Sequence, residues 1–158
     1  MQYPLNFYTS YNQFYLYDKG SAGATDSDNF WTQEAFEERL AIEEGTIGVG
    51  TECYGPVKGE LVIQTSSNTD FAPDLYDHIV EGSIEIKSGV LQVLECPSSS
   101  IELEVAVKPG SYRVRVYSSN LQSVDGDEGD DFYLIELWPD SYDKRKVLKQ
   151  YLARLNGN

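Results

Sequence analysis

From residue 46 to residue 138 the sequence alternates between apolar and polar positions in short runs, the period of half-buried β-strands. Two runs show it most clearly. In residues 101–107 (IELEVAV), Ile101, Leu103, Val105 and Val107 share one face and Glu102 and Glu104 the other. In residues 111–117 (SYRVRVY), Tyr112, Val114 and Val116 point inward and Arg113 and Arg115 outward. Lys108-Pro109-Gly110 joins the two, and pairing about that turn would set Glu104 opposite Arg115. Further strands are predicted over 46–49, 57–64, 75–81 and 132–138, the last ended by Pro139. Residues 83–95 (SIEIKSGVLQVLE) read as a hairpin turning at Ser88-Gly89, with Ile86 opposite Leu91 and Ile84 opposite Val93. Nearer the start, residues 13–17 (QFYLY) predict a strand with Phe14 and Leu16 on one face and Tyr15 and Tyr17 on the other.

Two stretches carry a different period. Residues 31–44 (WTQEAFEERLAIEE) predict a helix with Thr32 as N-cap, Glu34 in the first turn, Phe36, Leu40 and Ile42 on its apolar side, and Gly45 as its stop. Residues 142–155 predict a second helix, with Leu148, Tyr151, Leu152 and Leu155 at i, i+3, i+4 and i+7. The expectation is a mainly β chain: an antiparallel β-sandwich with one short inserted helix and a C-terminal amphipathic helix. At 158 residues, with no repeat and no long linker, it reads as one domain, a body of residues 1–140 and a tail of 141–158.

Charge changes this picture. Twenty-six acids against 12 bases give −14 overall. The last 18 residues hold five bases, Lys144, Arg145, Lys146, Lys149 and Arg154, against Asp143 alone, a tail of +4. The body then carries seven bases and 25 acids, or −18. A surface this negative repels nucleic acid and anionic lipid and attracts basic proteins or cations, although acidity serves plain solubility as well. The start of the chain has neither the basic nor the apolar region of a signal peptide, and no stretch approaches the roughly 18 apolar residues of a membrane span. The expectation is a cytoplasmic protein with no transmembrane segment and no direct nucleic-acid binding. Cys53 and Cys96 form no CxxC motif and read as small hydrophobes in a reducing compartment.

Candidate chemistry is sparse. His78 is the single histidine, so no Ser/His/Asp or Cys/His set can be assembled around a second base. Phosphate-binding glycine loops, GxSxG and HExxH are missing from the sequence. The reading is a binding protein rather than an enzyme, with no cofactor. The sharpest local feature is residues 124–131 (VDGDEGDD), where Asp125, Asp127, Glu128, Asp130 and Asp131 crowd into seven positions. Three readings compete: a solvated loop, part of an acidic binding face, and a calcium site, although the spacing lacks EF-hand order. Tyr8, Tyr11, Tyr15, Tyr17 and Tyr54 form either a contact surface or the edges of the sandwich core. The partner-binding set read from the sequence is Asp125, Asp127, Glu128, Asp130 and Asp131 with Tyr15 and Tyr17.

Three stretches carry a family resemblance. Residues 8–18 (YTSYNQFYLYD), 31–50 (WTQEAFEERLAIEEGTIGVG) and 101–117 resemble, in the same order, scaffold segments of the bacterial competence protein J family. The resemblance implies the role characterised for that family, inhibition of a DNA-entry nuclease. It brings no defined inhibitory residues. The implied partner is a basic protein, a nuclease or a toxin. The alternatives are an immunity protein of a toxin system, a cation- or small-ligand-binding β-sandwich module, and a small enzyme built on His78. The basic tail either docks on the acidic body or pairs with a second subunit in a homodimer.

Overall fold

The computed structural model of the chain describes residues 1–23, 25 and 28–152. Two β-sheets face each other across the main core. The six-stranded sheet runs in the order β1 (Gln2–Tyr8), β5 (Pro56–Ile63), β10 (Phe132–Pro139), β9 (Gly110–Ser119), β6 (His78–Ile86), β11 (Lys146–Lys149). The five-stranded sheet runs β3 (Leu40–Glu43), β4 (Thr46–Gly50), β2 (Gln13–Asp18), β7 (Val90–Leu94), β8 (Ile101–Ala106). All but one of the pairings are antiparallel; β5 and β10 run parallel, with Leu61 beside Ile135.

Most of the predicted inward residues fill the core, but Ile101, expected inward, is exposed, and Leu103 and Val107 are only partly buried against it. Phe14 and Leu16 from β2, Val114 and Val116 from β9, and Ile135 and Leu137 from β10 are buried in one cluster with Leu61, Val80 and Val93. A second, smaller cluster holds Tyr15, Phe30, Ala35, Ala41, Leu94 and Cys96.

The two predicted hairpins are corrected. β6 and β7 lie in different sheets, as do β8 and β9. Ile84 pairs with Tyr112 and Ile86 with Gly110, while Leu91 pairs with Val105 and Val93 with Leu103. Glu104 stands opposite Gln92, and Arg115 lies between Glu81 and Glu136. Both turns are corners at which the chain crosses the sandwich. The corner after β6 is held by Asp18, whose buried carboxylate accepts from Lys87 N (3.1 Å), Ser88 N (3.0 Å) and Ser88 Oγ (2.6 Å).

The helices are shorter than predicted. Helix α1 spans Gln33–Glu38, with Thr32 Oγ1 accepting from Ala35 N at 3.1 Å as N-cap. Arg39 ends it in a left-handed conformation, and residues 40–43 continue as β3 along β4. Ala35 is its buried residue, and Phe36 is exposed. The C-terminal helix is not formed over the described residues. Lys146–Lys149 is instead an edge strand on β6, with Val147 beside Val80. Backbone partners on β6 and the side-chain bonds of Arg145 hold this segment extended. Arg145 Nε donates to Glu38 Oε2 at 2.5 Å and its Nη1 to the Leu40 carbonyl at 3.2 Å. Of the expected helical stripe, Leu148 and Leu152 are exposed, and Leu155 lies outside the described residues.

Candidate partner-binding end of the sandwich

Three connections meet at one end of the sandwich: residues 9–12 between β1 and β2, 51–55 between β4 and β5, and 120–131 between β9 and β10. Backbone hydrogen bonds tie them together. Thr9 N donates to Gly55 O at 2.9 Å, Thr51 N to Asn12 O at 2.9 Å, and Tyr54 N to Gly126 O at 3.0 Å. Below them, Asp131 is 4% exposed; its Oδ2 accepts from Tyr133 Oη at 2.5 Å and from Cys53 N at 3.3 Å. Tyr133 Oη in turn accepts from Glu52 N at 2.8 Å. One buried carboxylate and one buried phenol therefore fix the second and third connections to each other.

The acidic loop turns back on itself. Asp125 N donates to Glu128 O at 2.7 Å and Glu128 N to Asp125 O at 3.1 Å, around Gly126 at φ +64°. A positive φ at this point suits glycine. Asp125, Asp127, Glu128 and Asp130 are exposed. Asp131, predicted with them, faces inward as the anchor just described. Among the described residues no three His, Cys, Asp or Glu side chains come together as a metal site.

Of the five tyrosines read as a contact surface or as core edges, three are exposed at this end, and the two assigned to the partner-binding set are not among them. Tyr15 is 4% exposed and packs on Phe30, with its hydroxyl donating to Gln13 Oε1 at 2.8 Å. Tyr17 is half-buried and donates to the Ser21 carbonyl. Both sit on the face of β2 that the second cluster and the following loop cover, which encloses Tyr15 and leaves Tyr17 partly exposed. Tyr8, Tyr11 and Tyr54 are instead 75%, 59% and 44% exposed. The rings of Tyr11 and Tyr54 meet edge to face with centroids 5.9 Å apart. A Cβ placed on Gly55 would stand 3.8 Å from Tyr8 Cδ1 and 3.9 Å from Asp127 Cβ, so Tyr8 and Asp127 flank the same glycine. The legible signal was turn chemistry, since Tyr11-Asn12 and Tyr54-Gly55, just before Pro56, lie between strands, whereas Tyr15 and Tyr17 lie inside one.

Other candidates are structural. His78 is fully buried, with Nε2 donating to the Glu38 carbonyl at 2.7 Å and Nδ1 accepting from Tyr151 N at 2.9 Å. Burial pushes its imidazole down to about 4. Enclosed in this way it meets no substrate, which removes the reading of a small enzyme built on it. Cys53 and Cys96 are free and buried. Burial, with the charges of Asp131 and Asp127 beside it, pushes the Cys53 thiol up and away from reactivity. The described part of the basic tail, residues 141–152, docks on its own body: Arg145 on Glu38, Gln150 Nε2 on the Glu37 carbonyl at 3.0 Å, and the Arg39 guanidinium 5.2 Å from the Tyr151 ring centroid. No helix of the described residues is long and apolar enough to cross a membrane.

The architecture is that of a mixed two-sheet sandwich whose loops build an acidic, tyrosine-bearing end. The crystal structure of ComJ from Bacillus subtilis, an inhibitor of the DNA degrading activity of NucA, has this fold. It is similar with a TM-score of 0.68 over 89% of this chain and 98% of that one, at 19% identity. The structure of crocagin biosynthetic gene J is similar with a TM-score of 0.57 over the same shares, at 18% identity. No protein-family model matches the sequence, and no curated protein matches it significantly.

Proposed function

We propose that this protein is a non-enzymatic inhibitor that binds the cationic surface of a nuclease inside the cell and displaces DNA from it. The observation that carries this reading is the end of the sandwich where Asp125, Asp127, Glu128 and Asp130 stand exposed beside Tyr8, Tyr11 and Tyr54. A nuclease presents positive charge to phosphates, and a rim of carboxylates is complementary to it. Exposed tyrosines beside the acids supply the aromatic contact area in which protein interfaces are enriched. The fold it shares with ComJ supports the same reading, as does the acidity of the chain. The protein competes with nucleic acid for a partner and does not itself hold nucleic acid.

The test is a DNA-degradation assay with a NucA-type nuclease and increasing amounts of this protein. The expected result is suppression that saturates near equimolar ratio and weakens as salt rises through the range where the Debye length falls below about 10 Å. The combined variant Asp125→Asn, Asp127→Asn, Glu128→Gln, Asp130→Asn is expected to associate more slowly and with a flatter salt dependence. Undiminished cleavage at a large molar excess of the unaltered protein overturns the reading.

A further inference from the structure

At the tip of the β1–β2 connection Tyr11 and Asn12 have φ of 60° and 59°, with Ser10 bridged to Gln13. Positive φ at both central residues is what a type I′ turn requires, and Asn, Asp or Gly normally fill those positions. A tyrosine there is a bulky residue in a conformation that disfavours it. Its ring is spread over solvent beside Tyr54, not folded into the core. Strain of this kind persists only where the surrounding structure holds it in place, and it clusters at functional sites.

The surroundings specify the chemistry. Residues 8–13, 51–55 and 120–131 contain six acids, Glu52, Asp125, Asp127, Glu128, Asp130 and Asp131, and no base. The Glu52 carboxylate is engaged by Arg39 at 2.6 Å, and Asp131 is buried. Asp127 remains exposed across Gly55 from Tyr8. Ring faces next to an open carboxylate suit a flat cation. Guanidinium stacks on aromatic rings and binds a carboxylate through its planar fork, whereas ammonium is a compact, strongly hydrated charge.

We propose that Tyr8, Tyr11 and Tyr54, with Asp127, form a receiving site for an arginine side chain of a basic partner protein. The site rests on the reading above that the partner is basic, and it adds a preference for arginine over lysine. The partner places a guanidinium against the Tyr11 and Tyr54 rings and within reach of Asp127, while the remaining acids of the loop steer its approach.

The full chain, titrated with hexa-arginine and with hexa-lysine peptides under NMR observation, tests this. The expected result is that hexa-arginine binds about two- to fivefold more tightly, with the largest amide shifts at Tyr8, Tyr11, Tyr54 and Asp127. In Tyr11→Ala/Tyr54→Ala the two peptides are expected to bind alike, at the affinity the unaltered chain has for hexa-lysine. These side chains are exposed, and an unchanged melting temperature verifies that the variant folds. In Asp125→Asn/Glu128→Gln both peptides weaken together and the preference survives. Equal binding of the two peptides to the unaltered chain overturns the arginine site and leaves the nuclease assay above to judge the acidic surface by itself. A preference that survives in the tyrosine variant, or shifts that map elsewhere, also overturns it.

Discussion

The outer face of the six-stranded sheet and the loop end of the sandwich are made of the same residue types, and they use them in opposite ways. On the outer face, Glu81 is bridged by two guanidiniums, Arg113 Nε at 3.0 Å and Arg115 Nε at 2.6 Å. Arg115 Nη1 donates to Tyr117 Oη at 2.8 Å, Tyr117 Oη to Glu136, and Gln64 Nε2 reaches the same carboxylate at 2.8 Å. Phe71 and Trp138 lie over the Arg115 guanidinium, with ring centroids at 4.6 and 5.0 Å. Arg113 also holds the Asp143 and Lys144 carbonyls of the tail. Glu81, Arg113, Arg115 and Glu136 are all buried, and each has an opposite charge or a dipole against it. At the loop end Asp125, Asp127, Glu128 and Asp130 face water with no cation paired to them among the described residues. Paired, buried charge belongs to the fold; unpaired, exposed charge is available to a partner.

That contrast is broken most directly at Glu81. Glu81→Ala leaves two guanidiniums buried without a counter-ion, and the expected loss is about 3–5 kcal/mol of unfolding free energy. Asp127→Asn, an exposed acid, is expected to stay within about 0.5 kcal/mol of the parent. Urea denaturation of both variants measures the difference. Equal stabilities would show that the outer-face network does not support the fold.

A smaller effect is expected from pH at the buried clip. His78 is held neutral by the fold, with its pKa lowered to about 4 from the ordinary value near 6.5. Between those values the unfolded chain binds the extra proton and the folded chain does not. Stability therefore falls as pH drops from about 6.5 toward 4, by up to about 1.4 kcal/mol per pH unit, and this contribution is level above 6.5. Denaturation between pH 7 and pH 5 is expected to show this slope and to lose most of it in His78→Gln. As the chain has one histidine, its imidazole resonances report the folded pKa without ambiguity. A folded-state titration near 6.5 would show that the clip does not exclude the proton.

Which side chains turn toward the core was largely legible, because alternation marks one side of a strand; that Arg113 and Arg115 on the opposite side of β9 are buried too, and that Ile101 is exposed, was not. Tyr112, Val114 and Val116 point inward as their spacing requires. Which strands are neighbours was not legible. Ile84 and Ile86 show the same pattern whether they pair with Leu91 and Val93 edge to edge or face them across a core, and the Asp18 bonds that make the corner link residues about 70 positions apart. The tail misled for a related reason. Leu148, Tyr151, Leu152 and Leu155 match a helix stripe, but the bonds that decide the conformation of residues 145–149 come from β6, Glu38 and Leu40. Tertiary partners override such a weak local preference. In the candidate site the acidic loop was evident from composition, and only Asp131 departed from it, because a buried phenol and an amide claim its carboxylate. Tyr15 and Tyr8 are the same residue type in β-rich sequence; the packing of Phe30 and Ala35 over one face of β2 separates the buried ring from the exposed one.

A small stability effect, and the one that separates the two uses of residues most sharply, is expected at Tyr11. Asparagine tolerates a positive φ far better than tyrosine does, and Tyr11 is 59% exposed with no core contact to lose. Tyr11→Asn is therefore expected to leave the unfolding free energy unchanged or raise it by up to about 1 kcal/mol. The same substitution removes one ring of the Tyr11–Tyr54 pair and is expected to weaken binding of a basic partner. A residue retained for packing would lose stability on replacement, and a residue retained for contact would lose affinity while gaining stability. Thermal unfolding and hexa-arginine titration on the one variant measure both quantities. A drop in melting temperature with binding unchanged would place Tyr11 with the structural tyrosines, beside Tyr15 and Tyr117.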